Sequence, residues 1–143
     1  MNVQRILERK GRLVATVRPD ATIGEAAELL RKHGVGALVV SREAGAVDGI
    51  LSERDIVRAL PAHGAKVAEL KVATLMSRDV VTCAEADSIA DVMMLMTERR
   101  IRHVPVLAQG RLAGIVSIGD VVKSRIEEVE DDAHAMRELI TSA

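Results

Sequence analysis

Residues 49–58 read Gly49-Ile50-Leu51-Ser52-Glu53-Arg54-Asp55-Ile56-Val57-Arg58. The stretch returns at 114–123 as Gly114-Ile115-Val116-Ser117-Ile118-Gly119-Asp120-Val121-Val122-Lys123. Each copy has a glycine, two apolar residues of strand type, then Ser-x-x-Asp and an apolar-periodic segment. That order predicts a strand, a sharp corner and a capped helix. The serine oxygen can accept a first-turn N–H, and the aspartate suits the positive end of the helix. The corner brings a serine, an aspartate and free helix N–H groups to one spot, which a phosphorylated or hydroxyl-rich ligand can use. The same residues also serve as a plain helix start. The glycine ahead of them, in both copies and in register, permits a close approach of backbone or ligand that a cap alone does not need.

Working outward from this stretch, Val3, Ile6 and Leu7 among charges predict a short amphipathic helix over 3–10, ended by Gly11. Leu13 to Val17 reads as a strand and Pro19-Asp20 as a turn. Thr22 and Glu25 form a capping box that opens a helix lasting to Gly34. Ala37 to Val40 is a strand, Glu43 to Ala46 the hairpin connection and Val47 to Leu51 the next strand. Ser52 then caps a helix through Leu60, broken by Pro61 and Gly64. The connector, 65–79, holds two short helical turns. Val80 to Cys83 restarts the pattern as a strand, and Ser88 and Asp91 open a helix to about Arg100. Arg102 to Leu107 and Arg111 to Val116 are strands around a Gln109-Gly110 turn. Ser117 caps a final helix reaching about Ile140, because Val121, Val122, Ile126, Val129, Ala133, Met136 and Ile140 keep a three-four spacing. Its acidic run, Glu127 to Asp132, reads as a solvated face.

A shift of 66 superposes Ile23 on Ile89, Leu29 on Leu95 and Val40 on Val106. A shift of 65 superposes Ser52 on Ser117 and Asp55 on Asp120. The organisation is therefore a first repeat with its lead-in over 1–64, the connector, and a second repeat with the C-terminal helix over 80–143. Each half alone leaves an amphipathic face uncovered. Two halves packed together form one pseudo-symmetric α/β (α+β) unit with two equivalent clefts.

At 143 residues and 48% hydrophobic content the chain has ample material for one core, and its net charge of −1 provides no general field for nucleic acid or an anionic membrane. It contains no Phe, Tyr or Trp. Stacking of single-stranded bases on aromatic rings is therefore excluded, and the protein scarcely absorbs at 280 nm. A single cysteine, Cys83, excludes an internal disulfide and fits a reducing compartment. No apolar run approaches the roughly 18–20 residues of a spanning helix, and the expected setting is the cytoplasm. Cys83 reads as a small buried hydrophobe, and Met93, Met94 and Met96 as core or dimer-interface filler. His33, His63 and His134 lack metal-ligand spacing. No Ser-His-Asp set, Walker loop or Gly-x-Gly-x-x-Gly is present, so no catalytic machinery is visible and the chain is not expected to be an enzyme.

The strand-helix-strand-strand-helix order, twice over and closed each time by Gly-h-h-Ser-x-x-Asp, resembles a tandem pair of CBS domains, a Bateman module. The runs 50–59 and 96–106 look like small stand-alone bacterial members. The resemblance implies a regulatory module binding adenosine-containing ligands (AMP, ADP, ATP, or NAD and S-adenosylmethionine) between its repeats, with no obligatory cofactor. It implies ribose contacts from Asp55 and Asp120, with Ser52 and Ser117 beside the ribose-phosphate and Thr16 and Thr82 lining base pockets. It further implies base or phosphate contacts from Val35, Gly36 and Ala37 in the first repeat and from Ile101, Arg102, His103 and Pro105 in the second. Arg54 can reach phosphate, whereas its counterpart is Gly119.

Arg99, Arg100, Arg102, His103 and Arg111 make a local basic cluster. On a strand, Arg102 and His103 point to opposite sides, so one is expected to enter a cleft toward phosphate while the other leaves it or pairs with a carboxylate. The two clefts are expected to be unequal, with phosphate met by this cluster and Arg54. The resemblance also implies a homodimer, with contacts on the helices after Ser52 and Ser117, acting in trans on another protein. The alternative is a scaffold with empty clefts that works by dimerisation and partner contact.

Overall fold

The computed structural model describes residues 1–142. The elements run α1 Val3–Lys10, β1 Thr16–Val17, α2 Ile23–His33, β2 Ala37–Val40, β3 Gly49–Ser52 and α3 Glu53–His63. A 3-10 helix, Gly64–Glu69, and the single turn α4, Val72–Leu75, follow. The second half comprises β4 Cys83–Ala84, α5 Ile89–Arg99, β5 His103–Ala108, β6 Arg111–Ser117 and α6 Ile118–Ser142. Two three-stranded sheets result, ordered β1-β2-β3 and β4-β5-β6. In each, the first pair is parallel and the second antiparallel. The repeat expected from sequence is therefore present in topology and in register.

Several boundaries differ from the sequence reading. Leu13 is 99% exposed, and only Thr16–Val17 of the 13–17 segment joins a sheet. β3 begins at Gly49 rather than Val47, and β4 covers Cys83–Ala84 rather than 80–83. Val80 and Val81 instead line a cleft. Pro61 does not end α3, which continues to His63. A proline lacks only the N–H needed at the end of a short helix, and Gly64 at φ 56° provides the actual stop.

Each sheet has its own core. The first is built on Val17, Ile23, Leu30, Leu38, Val40 and Leu51, with Val72 and Met76 from the connector. The second is built on Ile89, Val92, Met96, Val104, Val106, Val116 and Val121, with Val3, Ile6 and Leu7 from α1. The lead-in segments are thus exchanged: α1 precedes the first repeat but completes the second, and α4 precedes the second but completes the first. Their backbones attach in the same way. Val3 N–H donates to Asp87 O at 3.0 Å, as Val72 N–H donates to Ala21 O at 2.8 Å. Ile89 N–H donates to Met1 O, as Ile23 N–H donates to Leu70 O. Neither sheet's core is complete without the lead-in that comes before the other.

This exchange explains the motif glycines. A Cβ on Gly114 would stand 2.7 Å from Leu7 Cδ2, and one on Gly49 would stand 2.9 Å from Ser77 O and 2.8 Å from Met76 Sδ. The close approach expected at these positions is real, but its object is the crossing lead-in chain and not a ligand.

Candidate functional site

Ser52 ends β3 in extended conformation (φ −113°, ψ 161°) and starts α3. Its Oγ accepts from Asp55 N–H at 3.4 Å, while Asp55 Oδ2 accepts from Ser52 N–H at 2.8 Å and from Ser52 Oγ at 3.1 Å. The reciprocal box holds the carboxylate rigidly at the corner and engages only Oδ2. Among the described residues, Oδ1 has no hydrogen-bond donor from the protein. Capping and ligand recognition are therefore compatible at this aspartate.

A cleft of about 610 Å³ opens beside this corner, between the repeats. Of the residues proposed from sequence, Gly36, Ala37, Ser52, Arg54, Asp55, Ile101, Arg102 and His103 line it together. Arg99, Arg100 and Arg58 also face it, as do Ser77 and Asp79 of the connector and Val80 and Val81 just after it. Both Arg102 and His103 reach the cleft, contrary to the strand alternation. β5 begins only at His103, so Arg102 lies in the preceding bend and is free of the pleat.

The cleft is cationic. Arg54, Arg58, Arg99, Arg100 and Arg102 line it with Glu53, Asp55 and Asp79, and none of the five arginines joins an ion pair within 4.0 Å among the described residues. Such unpaired guanidinium groups have planar forks free for phosphate oxygens. His103 lies against Gly36, where an added Cβ would meet its ring at 3.2 Å. Burial lowers its pKa, as does the Lys10 ammonium, against the opposing pull of Glu53 and Asp120. Arg111 does not belong to the cluster. Its guanidinium donates to Ala44 O and lies on Gly45, bracing the hairpin of the first repeat.

The second corner is built like the first: Ser117 N–H donates to Asp120 Oδ2 at 2.9 Å, and Asp120 N–H to Ser117 Oγ at 3.2 Å. Its carboxylate also leaves Oδ1 without a donor among the described residues, but Oδ2 takes a further partner. Lys10 Nζ lies 2.7 Å from Asp120 Oδ2 and also donates to Ile115 O at 3.1 Å. Burial opposes the charge on Asp120, but the lysine and the serine donors outweigh it and lower its pKa. Lys10 is the last residue of α1, which is two turns long, whereas its counterpart α4 is a single turn.

The other proposed residues lie elsewhere. Thr16 lines a separate depression with Arg18, Asp20, Glu25 and Leu29. Val35 is 36% exposed, and Thr82 is half-buried and does not line the cleft. Pro105 is buried in mid-strand opposite Ile115. Ser77, Asp79, Val80 and Val81 had no motif to reveal them, and Arg58 has no counterpart role in the repeat alignment. The acidic run is also not wholly solvated, since Glu127 pairs with Arg9 of α1 and Glu128 Oε2 lies 3.8 Å from the Met1 amine.

Two βαββα halves, exchanging lead-ins and enclosing a polar cleft, define a tandem regulatory module. The CBS domain sequence model matches residues 12–62 and 72–127, and the chain belongs to that family. A crystal structure of a CBS-domain protein, ATU1752 from Agrobacterium tumefaciens, is 49% identical with a TM-score of 0.84, covering 87% of this chain and 99% of that one. The CBS-domain pair of protein MJ0100, crystallised with 5′-methylthioadenosine and S-adenosyl-L-methionine, is 28% identical with a TM-score of 0.78. It covers 90% of this chain and 98% of that one. The mitochondrial CBSX3 of Arabidopsis thaliana is 34% identical over 125 residues, covering 85% of this chain but 61% of the longer relative. CBS pairs are regulatory rather than catalytic modules. Among the described residues no helix is long and apolar enough to cross a membrane.

Proposed function

We propose that the first cleft binds an adenosine ligand carrying phosphate, in the class of AMP, ADP or ATP. The observation that carries this reading is the convergence of five unpaired arginines on the corner where Asp55 offers a free oxygen. The carboxylate suits ribose hydroxyls, the arginines suit phosphate, and the aliphatic Ile50, Val80, Val81 and Ile101 suit a purine face. MJ0100, with its adenosine and sulfonium ligands, supports the adenosine part. The cationic lining favours phosphate over a sulfonium, so nucleotides are expected to bind ahead of S-adenosylmethionine. NAD, with its diphosphate, remains in the favoured class.

Binding would bias the packing of the two halves through its differential affinity for one arrangement. The signal would then pass in trans to another protein, in the cytoplasm, as a report on nucleotide state. The functional unit is expected to be a homodimer. Arg99, Arg100 and Arg102 lie on the second repeat and Asp55 on the first, so one ligand would bridge both.

The test begins with the ultraviolet spectrum. Without Tyr or Trp, a band near 260 nm in purified protein reports bound nucleotide or nucleic acid, and mass spectrometry identifies it. Calorimetry on stripped protein with AMP, ATP, NAD and S-adenosylmethionine follows. Asp55→Ala is expected to abolish binding and Asp120→Ala to leave it nearly intact. Failure of all four ligands at millimolar concentration would overturn the adenosine reading and favour the scaffold. Equal losses in the two variants would overturn the assignment to one cleft.

A further inference from the structure

From Val122 onward, α6 carries Val122, Ile126, Val129, Ala133, Met136 and Ile140, spaced alternately by four and three residues. This is the a/d pattern of a coiled coil, with Ile126, Ala133 and Ile140 at a and Val122, Val129 and Met136 at d. The apolar members are exposed, from 40% at Val122 to 70% at Ile140. The residues of α6 that face the body are Val121, Ser124, Glu127 and Glu128, on the opposite side of the helix. The stripe therefore points away from the fold along its whole length. Beyond 128 every described residue of α6 is exposed. That part projects about 20 Å at 1.5 Å per residue. A free helix of this length is marginal in water without an apolar partner.

The flanking charges identify the partner. Lys123, Glu130 and Arg137 occupy e positions, and Arg125, Asp132 and Leu139 occupy g positions. In a parallel, in-register pair, each g residue faces the e residue five positions further on in the other helix. Arg125 of one copy then meets Glu130 of the other, and Asp132 meets Arg137. Both pairs attract. An antiparallel pair aligned on the same stripe places Glu130 against Glu130, Asp132 against Asp132 and Lys123 against Arg137, and all three repel. Arg125 already contacts Glu128 of its own helix through one Nη at 2.8 Å, which leaves further guanidinium N–H groups for Glu130. Glu130, Asp132 and Arg137 form no ion pair among the described residues.

We propose that α6 is a dimerisation element that pairs in parallel with α6 of a second copy of this chain, along Val122, Ile126, Val129, Ala133, Met136 and Ile140. The pairing does not depend on occupancy of the nucleotide cleft, and it holds the two C-terminal ends side by side.

The full chain is expected to sediment as a dimer at tens of micromolar. Val129→Glu should convert it to monomer while leaving the monomer folded, with an unchanged circular dichroism spectrum, because Val129 is 51% exposed and belongs to neither core. Arg137→Glu should raise the dissociation constant about tenfold by turning attraction to Asp132 into repulsion. Asp132→Arg combined with Arg137→Glu should restore it. In an antiparallel pair Arg137→Glu would instead relieve repulsion with Lys123 and tighten the dimer. Orientation is read independently with Ile140→Cys and a copper–phenanthroline oxidant, since a parallel pair sets both new thiols together and Cys83 is buried. A disulfide-linked dimer is the expected product. A monomeric chain, a dimer indifferent to Val129→Glu, tightening by Arg137→Glu, or no cross-link in a dimeric sample would each overturn the proposal.

Discussion

Arg100 caps α5 in the left-handed region at φ 54°, where its counterpart in the first repeat is Gly34 at φ 62°. An L-residue there costs about 1–2 kcal/mol. Arg100 lines the cationic cleft, which accounts for keeping a strained side chain where a glycine would be relaxed. Arg100→Gly is expected to stabilise the fold by about 0.5 kcal/mol after the extra freedom of glycine in the unfolded chain is subtracted. It should also weaken nucleotide binding about tenfold. Chemical denaturation and calorimetry on the same variant check both halves. His103 contributes a pH dependence of stability. Its pKa is lowered on folding by burial and by Lys10, against Glu53 and Asp120. Between its folded pKa and the ordinary value of 6.5 the unfolded chain binds more protons, so stability falls as pH drops through that window. His103→Asn should flatten the fall. Denaturation midpoints at pH 7.5 and 5.5 decide it, and parallel loss in both proteins would refute the assignment.

At the scale of elements, the exchange of α1 and α4 decides what the motif glycines do. Gly114→Ala would drive a methyl into Leu7 and is expected to cost about 1–3 kcal/mol. The loss should shrink in a Leu7→Ala background, because the clash needs the leucine. An undiminished loss, measured by a double-mutant cycle, would show that strand geometry and not lead-in packing sets the requirement. The helices and central strands were legible in the sequence, since caps such as Thr22/Glu25 and apolar spacing act locally. The short parallel strands β1 and β4 were expected too, but not their extent. Their pairing depends on partners over 20 residues away, Val39 and Val40 for β1 and Val106 and Leu107 for β4.

At the scale of the whole molecule, the two corners share one design but differ in their charged partners. The lead-in to the first repeat brings Lys10 onto Asp120, whereas Asp55 joins no ion pair among the described residues. One nucleotide per chain is the expected stoichiometry. Lys10→Met should expose a second, weaker site, raising the calorimetric stoichiometry toward two, and Asp120→Ala added to it should return the value to one. A wild-type value of two, or no gain with Lys10→Met, would show that the ammonium does not close the corner. Inequality of the clefts was anticipated from Arg54 and Gly119. The structure adds a second asymmetry, the ion pair of Asp120 with Lys10, a residue in the N-terminal helix that no repeat alignment relates to Asp120.

The sequence by itself determined the repeat, the capped corners and the family, because these follow from local periodicity and from residues matched copy to copy. It also contained the heptad stripe of α6, readable as spacing alone. Only the tertiary structure decided that Arg102 and His103 of the second repeat share a cleft with Asp55 of the first, and that Lys10 pairs with Asp120 at the other corner. The reason is physical: each half is stable only when the chain crosses over to complete the other's core, and a crossing sets contacts between residues that have no fixed spacing in the chain.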